Sequence, residues 1–372
     1  MATRAPAEIG MPLEEVDTPA LLVELDALER NLHTMAEAVA ATGVRLRPHA
    51  KTHKSPELAA RQVALGAIGV CCQKVSEAEA IVEGGVADVL VSNEVVGAPK
   101  LRRLAALAGR ARISVCVDDA ENLRALAEAA REAGATLQVL VEVNVGADRC
   151  GVEPGEPALA LAREVMAAPS LEFGGLQAYH GAAQHIRDFA ERRQAARSAA
   201  EKAAWSKSLL EKAGFPCPIV AGGGTGTFAF DAESGVFTEL QVGSYLFMDA
   251  DYARNLDEAG RPAQPFAHSL FVYTTVMSSP VQGRAIVDAG LKALSVDSGM
   301  PLVEGHEGVV YERASDEHGK LALAGGKLQV GEKLRLIPGH CDPTVNLYDW
   351  YVGVRGGRVE ALWPITARGA IL

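Results

Sequence analysis

Arg45-Leu46-Arg47-Pro48-His49-Ala50-Lys51-Thr52-His53-Lys54 predicts a β-strand that ends in a reactive lysine. The strand runs from Val44 to His49. Pro48 closes its regular ladder, because a proline nitrogen has no hydrogen to donate. Lys51 follows at the C-terminal end, between His49 and His53. Arg45, Arg47, Lys54 and the imidazoles make a cationic neighbourhood, which lowers a lysine pKa and frees its amine as a nucleophile. A free amine on a rigid strand end suits a Schiff base to an aldehyde cofactor. A surface lysine in a basic loop is the other reading of these ten residues.

Outward from this strand the chain alternates. Apolar runs recur at 67–72, 87–92, 113–117, 137–144, 171–179, 219–224 and 240–245, with amphipathic Ala/Glu/Arg-rich segments between most of them. With the Lys51 strand they make eight βα units, which predicts a closed eight-stranded parallel β/α barrel over residues 22–262. Upstream, Asp17 to Leu25 reads as a short strand and Asp26 as the N-cap of a helix to about Ala41. No G-x-G-x-x-G follows the first strand, which argues against a dinucleotide site. Near residue 264 the texture changes to Val, Leu, Tyr and Gly with period-two patches, and Gly356-Gly357 predicts a hairpin turn. Residues 1–21 and 263–372 are therefore expected to form a second, mostly β domain.

The 372 residues exceed what one hydrophobic core usually fills. A net charge of −11 argues against nucleic acid as a partner. The six cysteines show no CxxC pair, which predicts buried thiols in a reducing compartment. Neither a signal-peptide core nor a membrane-length apolar run is present, so the expected location is the cytoplasm.

In a β/α barrel, chemistry collects at the C-terminal strand ends. Those ends carry Lys51, Gln73, Asp118, Asn144 to Arg149, Tyr179-His180, the Gly222–Gly226 run, and Gly243-Ser244. Glycine-rich turns after the seventh and eighth strands, with Thr225 and Ser244 as extra donors, form a phosphate cradle; tight turns in a packed barrel are the alternative. Phosphate there and an amine on the first strand together point to pyridoxal 5'-phosphate.

Along essentially its whole length the chain resembles the D-threonine aldolase family of pyridoxal-phosphate enzymes, whose architecture is that of alanine racemase. The motifs are residues 47–54, Val70 to Glu77, Asp148-Arg-Cys-Gly-Val152, Gln177-Ala-Tyr-His-Gly181 with Gln184-His185, Gly222 to Gly226, Glu239 to Ser244, Asp288 to Lys292, Asp316 to Gly319, and Pro338 to Thr344. The resemblance implies that Lys51 links the cofactor and that Thr225, Gly243 and Ser244 hold its phosphate. Gln73, Arg149 and Tyr179 surround its ring. His340 and Asp342 bind a divalent metal, manganese or magnesium, and His185 assists proton transfer. An alternating strand would put His340 and Asp342 on one face. Dehydratase relatives resemble H-x-C there, so Asp342 is the aldolase-like residue.

The implied reaction is retro-aldol cleavage of D-3-hydroxy-amino acids to glycine and an aldehyde, by a homodimer. The alternatives are an aldolase of β-hydroxyaspartate and a dehydratase of D-serine or D-hydroxyaspartate. A second substrate carboxylate needs another cation, for which Lys292 and Arg313 are candidates. His318 is either a pocket group or a turn residue, and His180 ranks below His185. A cofactor carrier without a substrate is a further alternative, against which the extra domain and the metal pair argue.

Overall fold

The computed structural model describes residues 4–262 and 265–372. The predicted texture change at 264 falls on a residue outside them. The first strand, β1 (Ala20–Glu24), leads into α1 (Leu25–Ala40), which buries Leu25, Leu28, Leu32, Met35 and Val39 along one stripe. The N-cap is Glu24 and not Asp26, which lies in the first turn, where a carboxylate faces the positive end of the helix dipole.

The βα units follow in order: β2 (Arg45–Leu46), α2 (Pro56–Ala64), β3 (Val70–Cys72), α3 (Val75–Glu83), β4 (Asp88–Glu94), α4 (Ala98–Leu107), β5 (Arg112–Val117), α5 (Ala120–Glu132) and β6 (Leu137–Glu142). Then come α6 (Glu156–Ala167), β7 (Leu171–Ala178), α7 (Phe189–Lys212), β8 (Ile219–Gly222), α8 (Phe228–Glu233) and β9 (Glu239–Leu240). Caps appear where the sequence supplies carboxylates: Asp119 accepts from the Asn122 amide at 2.8 Å and Asp188 from the Glu191 amide at 2.9 Å.

The eight strands β2 to β9 form one parallel sheet in the order β2-β9-β8-β7-β6-β5-β4-β3. Its two ends meet. His49 bridges to Cys71 in parallel, and the Ile68 and Cys71 amides donate to Leu46 O and Pro48 O, both at 2.9 Å. Cys71, Leu90, Cys116, Leu140, Ile219 and Ala221 fill part of the interior. At the N-terminal rim, Arg47 is buried between Glu239 and Asp88, the first residues of β9 and β4.

The second domain contains β10 (Leu270–Val281), β11 (Arg284–Val287), β12 (Leu302–Val303), β13 (Val309–Ala314), β14 (Gly319–Leu323), β15 (Lys333–Ile337), α9 (Cys341–Val345), β16 (Trp350–Arg355) and β17 (Arg358–Pro364). Its sheet runs β13-β14-β11-β10-β1-β16-β17, with β15 on β10 and β12 on β15. The β16–β17 turn has Gly356 and Gly357 at φ 55° and 76°, the left-handed conformation that the predicted hairpin needs. β1 lies inside this sheet, antiparallel to β10 and parallel to β16. The expected division at 21/22 therefore cuts through β1, which belongs whole to the β sheet. One apolar cluster joins the domains: Leu28 and Leu32 of α1, Leu58 of α2 and Phe247 pack with Leu270, Leu336 and Tyr351.

Candidate active site at the barrel mouth

After β2 the chain makes a single helical turn, Ala50–Thr52, which turns Lys51 into the barrel mouth. The His49 ring holds this turn. Its Nδ1 accepts from the Lys51 backbone amide at 3.3 Å, and its Nε2 lies 2.8 Å from Gln73 Nε2 and 3.1 Å from Ser92 Oγ. Burial, with the Lys51 charge next in weight, keeps His49 well below the usual histidine range, so it is neutral at physiological pH.

The cationic neighbourhood expected around Lys51 does not exist. Arg45 and Arg47 pair with Glu239 at the other rim of the barrel, and Lys54 pairs with Glu77 of α3. Lys51 itself is paired with Asp342. Burial alone would lower its pKa, but the Asp342 carboxylate, followed by Tyr179, outweighs that, and the net direction is upward. In the protein alone the amine is an ammonium, the reverse of the expectation.

Lys51 opens into a cavity of about 570 Å³ lined by Gln73, Arg149, Tyr179, His185, Thr225, Gly243 and Ser244 among others. Every expected cofactor-binding residue is in this lining. Arg149 lies over the Tyr179 ring, 5.6 Å from its centre. Gly224, Thr225, Gly243 and Ser244 line the same cavity, and Thr225 Oγ1 accepts from the Tyr245 amide at 3.0 Å. A Cβ on Gly243 would sit 2.5 Å from Thr52 Oγ1, and one on Gly224 2.5 Å from Gln184 Oε1, so larger residues would fill this part of the lining. A bare backbone lining with two hydroxyls, in one cavity with an amine, fits a phosphorylated aldehyde. A larger groove, about 890 Å³, lies along α7 and α8 and contains none of the expected site residues.

His340 and Asp342 reach the same region by another route than expected. The segment is no strand: Cys341–Val345 is α9, with His340 as its N-cap and Asp342 in its first turn. Cys341 turns inward, its Sγ 3.5 Å from Met248 O. Asp342 is pulled down to about 2; burial opposes this, and the Lys51 and His340 charges outweigh it. Its Oδ1 is buried without a hydrogen bond. An imidazole, a carboxylate with an uncommitted oxygen and open positions suit a hydrated Mn²⁺ or Mg²⁺. A different group, Glu94, Asp118 and Cys150, brings three possible ligand atoms within 4.8 Å of one another. Burial, then Glu94, pushes the Cys150 thiol up to about 11, so in the protein alone its sulfur keeps the proton.

His185 ends the turn Ala182–His185 and lines the cavity, with its Nδ1 2.6 Å from Asp251 Oδ2. Arg187 and Arg254 hold the other oxygen of Asp251. His180 faces Gly146, outside the cavity lining. His318 sits in the turn between β13 and β14, Lys292 pairs with Glu317, and Arg313 lies on β13. None of these three lines the cavity. Asp251 was not foreseen, since two of its partners, His185 and Arg187, lie 66 and 64 residues away in the chain.

Glu142, buried at the end of β6, is held well above the usual carboxylate range by burial and then by Glu94. The folded state keeps a proton that the unfolded chain releases near pH 4.5. Stability from such a group is complete below that pH and falls as pH rises towards the folded-state value. Glu142→Gln keeps the shape without the ionisation. The variant is expected to gain stability over the parent from pH 5 upward, by about 1.4 kcal/mol per pH unit. Thermal unfolding across pH measures this; parallel curves would contradict it.

A closed parallel barrel with a lysine in the turn after its first strand and a β domain over its mouth defines the alanine-racemase-like class. Residues 23–251 match the family described as alanine racemase, N-terminal domain, and residues 269–354 match the putative serine dehydratase domain. The chain is 50% identical over 371 residues to a D-threonine aldolase of Arthrobacter sp, covering 99% of this chain and 97% of the relative. It is 48% identical over 368 residues to a 3-hydroxy-D-aspartate aldolase of Paracoccus denitrificans (strain Pd 1222), covering 98% and 95%. The crystal structure of D-threonine aldolase from Filomicrobium marinum superposes with a TM-score of 0.97 at 54% identity, covering 99% of this chain and all of that one. The chain belongs to the D-threonine aldolase family.

Proposed function

We propose that this protein is a carbon–carbon lyase that cleaves D-3-hydroxy-amino acids to glycine and an aldehyde, using pyridoxal 5'-phosphate and a divalent metal, Mn²⁺ or Mg²⁺. The observation that carries this is the pairing of Lys51 with Asp342 beside a cavity that Lys51 lines together with Gly224, Thr225, Gly243 and Ser244. Thr225, Gly243 and Ser244 hold the phosphate, Lys51 anchors the aldehyde, and Gln73, Arg149 and Tyr179 fix the ring. The cofactor supplies the electron sink for the bond broken at Cα. His340 and Asp342 would hold the metal, which would supply Lewis acidity at this end of the cavity. His185, oriented by Asp251, takes the proton of the β-hydroxyl on Nε2. The Cα–Cβ bond then breaks, the aldehyde leaves, and a proton returns to Cα to give glycine.

The lack of an uncommitted lysine or arginine among the described cavity-lining residues favours a substrate with an uncharged side chain. Lys51 is committed to the cofactor, which leaves Arg149 and the imidazoles. A β-carboxylate would find no lysine or arginine of its own among the described lining residues. The 48% identity to a 3-hydroxy-D-aspartate aldolase keeps glycine plus glyoxylate as the second reading. We also read the protein as a cytoplasmic homodimer with no nucleic-acid partner. The net charge of −11 supports the absence of a nucleic-acid partner and the six free cysteines a reducing compartment, the homodimer rests on the family resemblance alone, and no helix among the described residues is long and apolar enough to cross a membrane.

Product analysis with D-threonine, cofactor and Mn²⁺ is expected to give glycine and acetaldehyde. Ammonia and 2-oxobutyrate would mean that the hydroxyl leaves and would overturn the cleavage reading. A kcat/KM for D-3-hydroxyaspartate above that for D-threonine would select the second reading.

A further inference from the structure

We infer that Asp297 is the positioning residue that makes His340 a metal ligand through Nε2; this rests on the metal role given to His340 above. His340 Nδ1 lies 2.8 Å from Asp297 Oδ2. An ionised carboxylate can only accept, so Nδ1 must carry the hydrogen, and the lone pair of the neutral ring is then on Nε2. The carboxylate is itself fixed. Ser295 Oγ donates to its Oδ1 at 2.7 Å and Ser298 Oγ to its Oδ2 at 3.1 Å.

This small loop is tied to the barrel. Ser298 O accepts from Arg254 Nη2 at 3.1 Å, and the same guanidinium holds Asp251, the partner of His185. The orientation of the ligand ring is thus referred to the barrel mouth across the domain boundary. Asp297 is half exposed, and such an ion pair adds little to stability. Its effect falls on the ring it holds: an acceptor on the far nitrogen sets the tautomer, restricts ring rotation and raises ligand basicity.

The test is the affinity of the cofactor-loaded protein for Mn²⁺, measured by competition with a chelator, for the parent and for Asp297→Ala, Asp297→Asn and His340→Ala. Asp297→Ala is expected to weaken Mn²⁺ binding about 10- to 100-fold. Asp297→Asn, which keeps an acceptor but loses the charge, falls between it and the parent. The visible absorption of the bound cofactor stays unchanged in both, which separates loss of metal from loss of fold. Parental Mn²⁺ affinity in Asp297→Ala, with affinity lost in His340→Ala, would overturn the inference alone. Parental affinity in His340→Ala would overturn the metal reading and the inference with it.

Discussion

Lys51→Ala is expected to abolish the visible absorption of the bound cofactor and to reduce turnover by on the order of 10⁵-fold, the advantage of a positioned amine over a free one. The variant should remain folded. Removing one partner of a fully buried ion pair costs about 3–5 kcal/mol. Here, however, 37% of the Lys51 side chain is exposed, on the wall of a water-accessible cavity. The cost is then screened towards the roughly 1 kcal/mol of exposed pairs. A small drop in melting temperature with total loss of the absorption band is the expected signature. A persistent band would show that another amine carries the cofactor.

Asp342→Ala should leave the cofactor band in place and remove the metal response. Losing several kcal/mol of Lewis-acid assistance lowers the rate by about a thousandfold or more. It also frees Lys51 from its counter-ion, so the two variants separate two jobs that meet at a single ion pair. Added Mn²⁺ is expected to restore chelator-treated parent protein and to do nothing for Asp342→Ala. Full activity of the parent in EDTA would remove the metal from the reaction.

The barrel was legible because βα periodicity is local, and its strand ends follow from counting. Lys51, Gln73, Arg149, Tyr179, His185, Thr225, Gly243 and Ser244 converge because a closed barrel brings all its C-terminal ends to one rim. Charge compensation was not legible. Nothing in the text around Lys51 shows that Arg47 spans the opposite rim to Glu239, 192 residues on, or that Asp342 arrives from another domain. His340 and Asp342 do reach the Lys51 region, but the backbone that carries them was misread. Pro343 after Asp342 suits the first turn of a helix, whose early amides need no acceptor, and that signal was available. Asp251 and Asp297 act on histidines 66 and 43 positions away, and no short-range spacing encodes such partners.

The placement of β1 has a consequence for how the protein is made. Residues 20–24 leave the ribosome early, yet one partner begins at Leu270 and the other at Trp350. At about 5–20 residues per second, β1 waits for on the order of tens of seconds with both edges unpaired. During that interval the barrel strands, complete by Leu240, have all emerged. The β sheet can close only near the end of translation, when the last strands reach back for the first. Asp342 meets Lys51 at that same late moment, so the ion pair between them forms only after the two ends of the chain have joined.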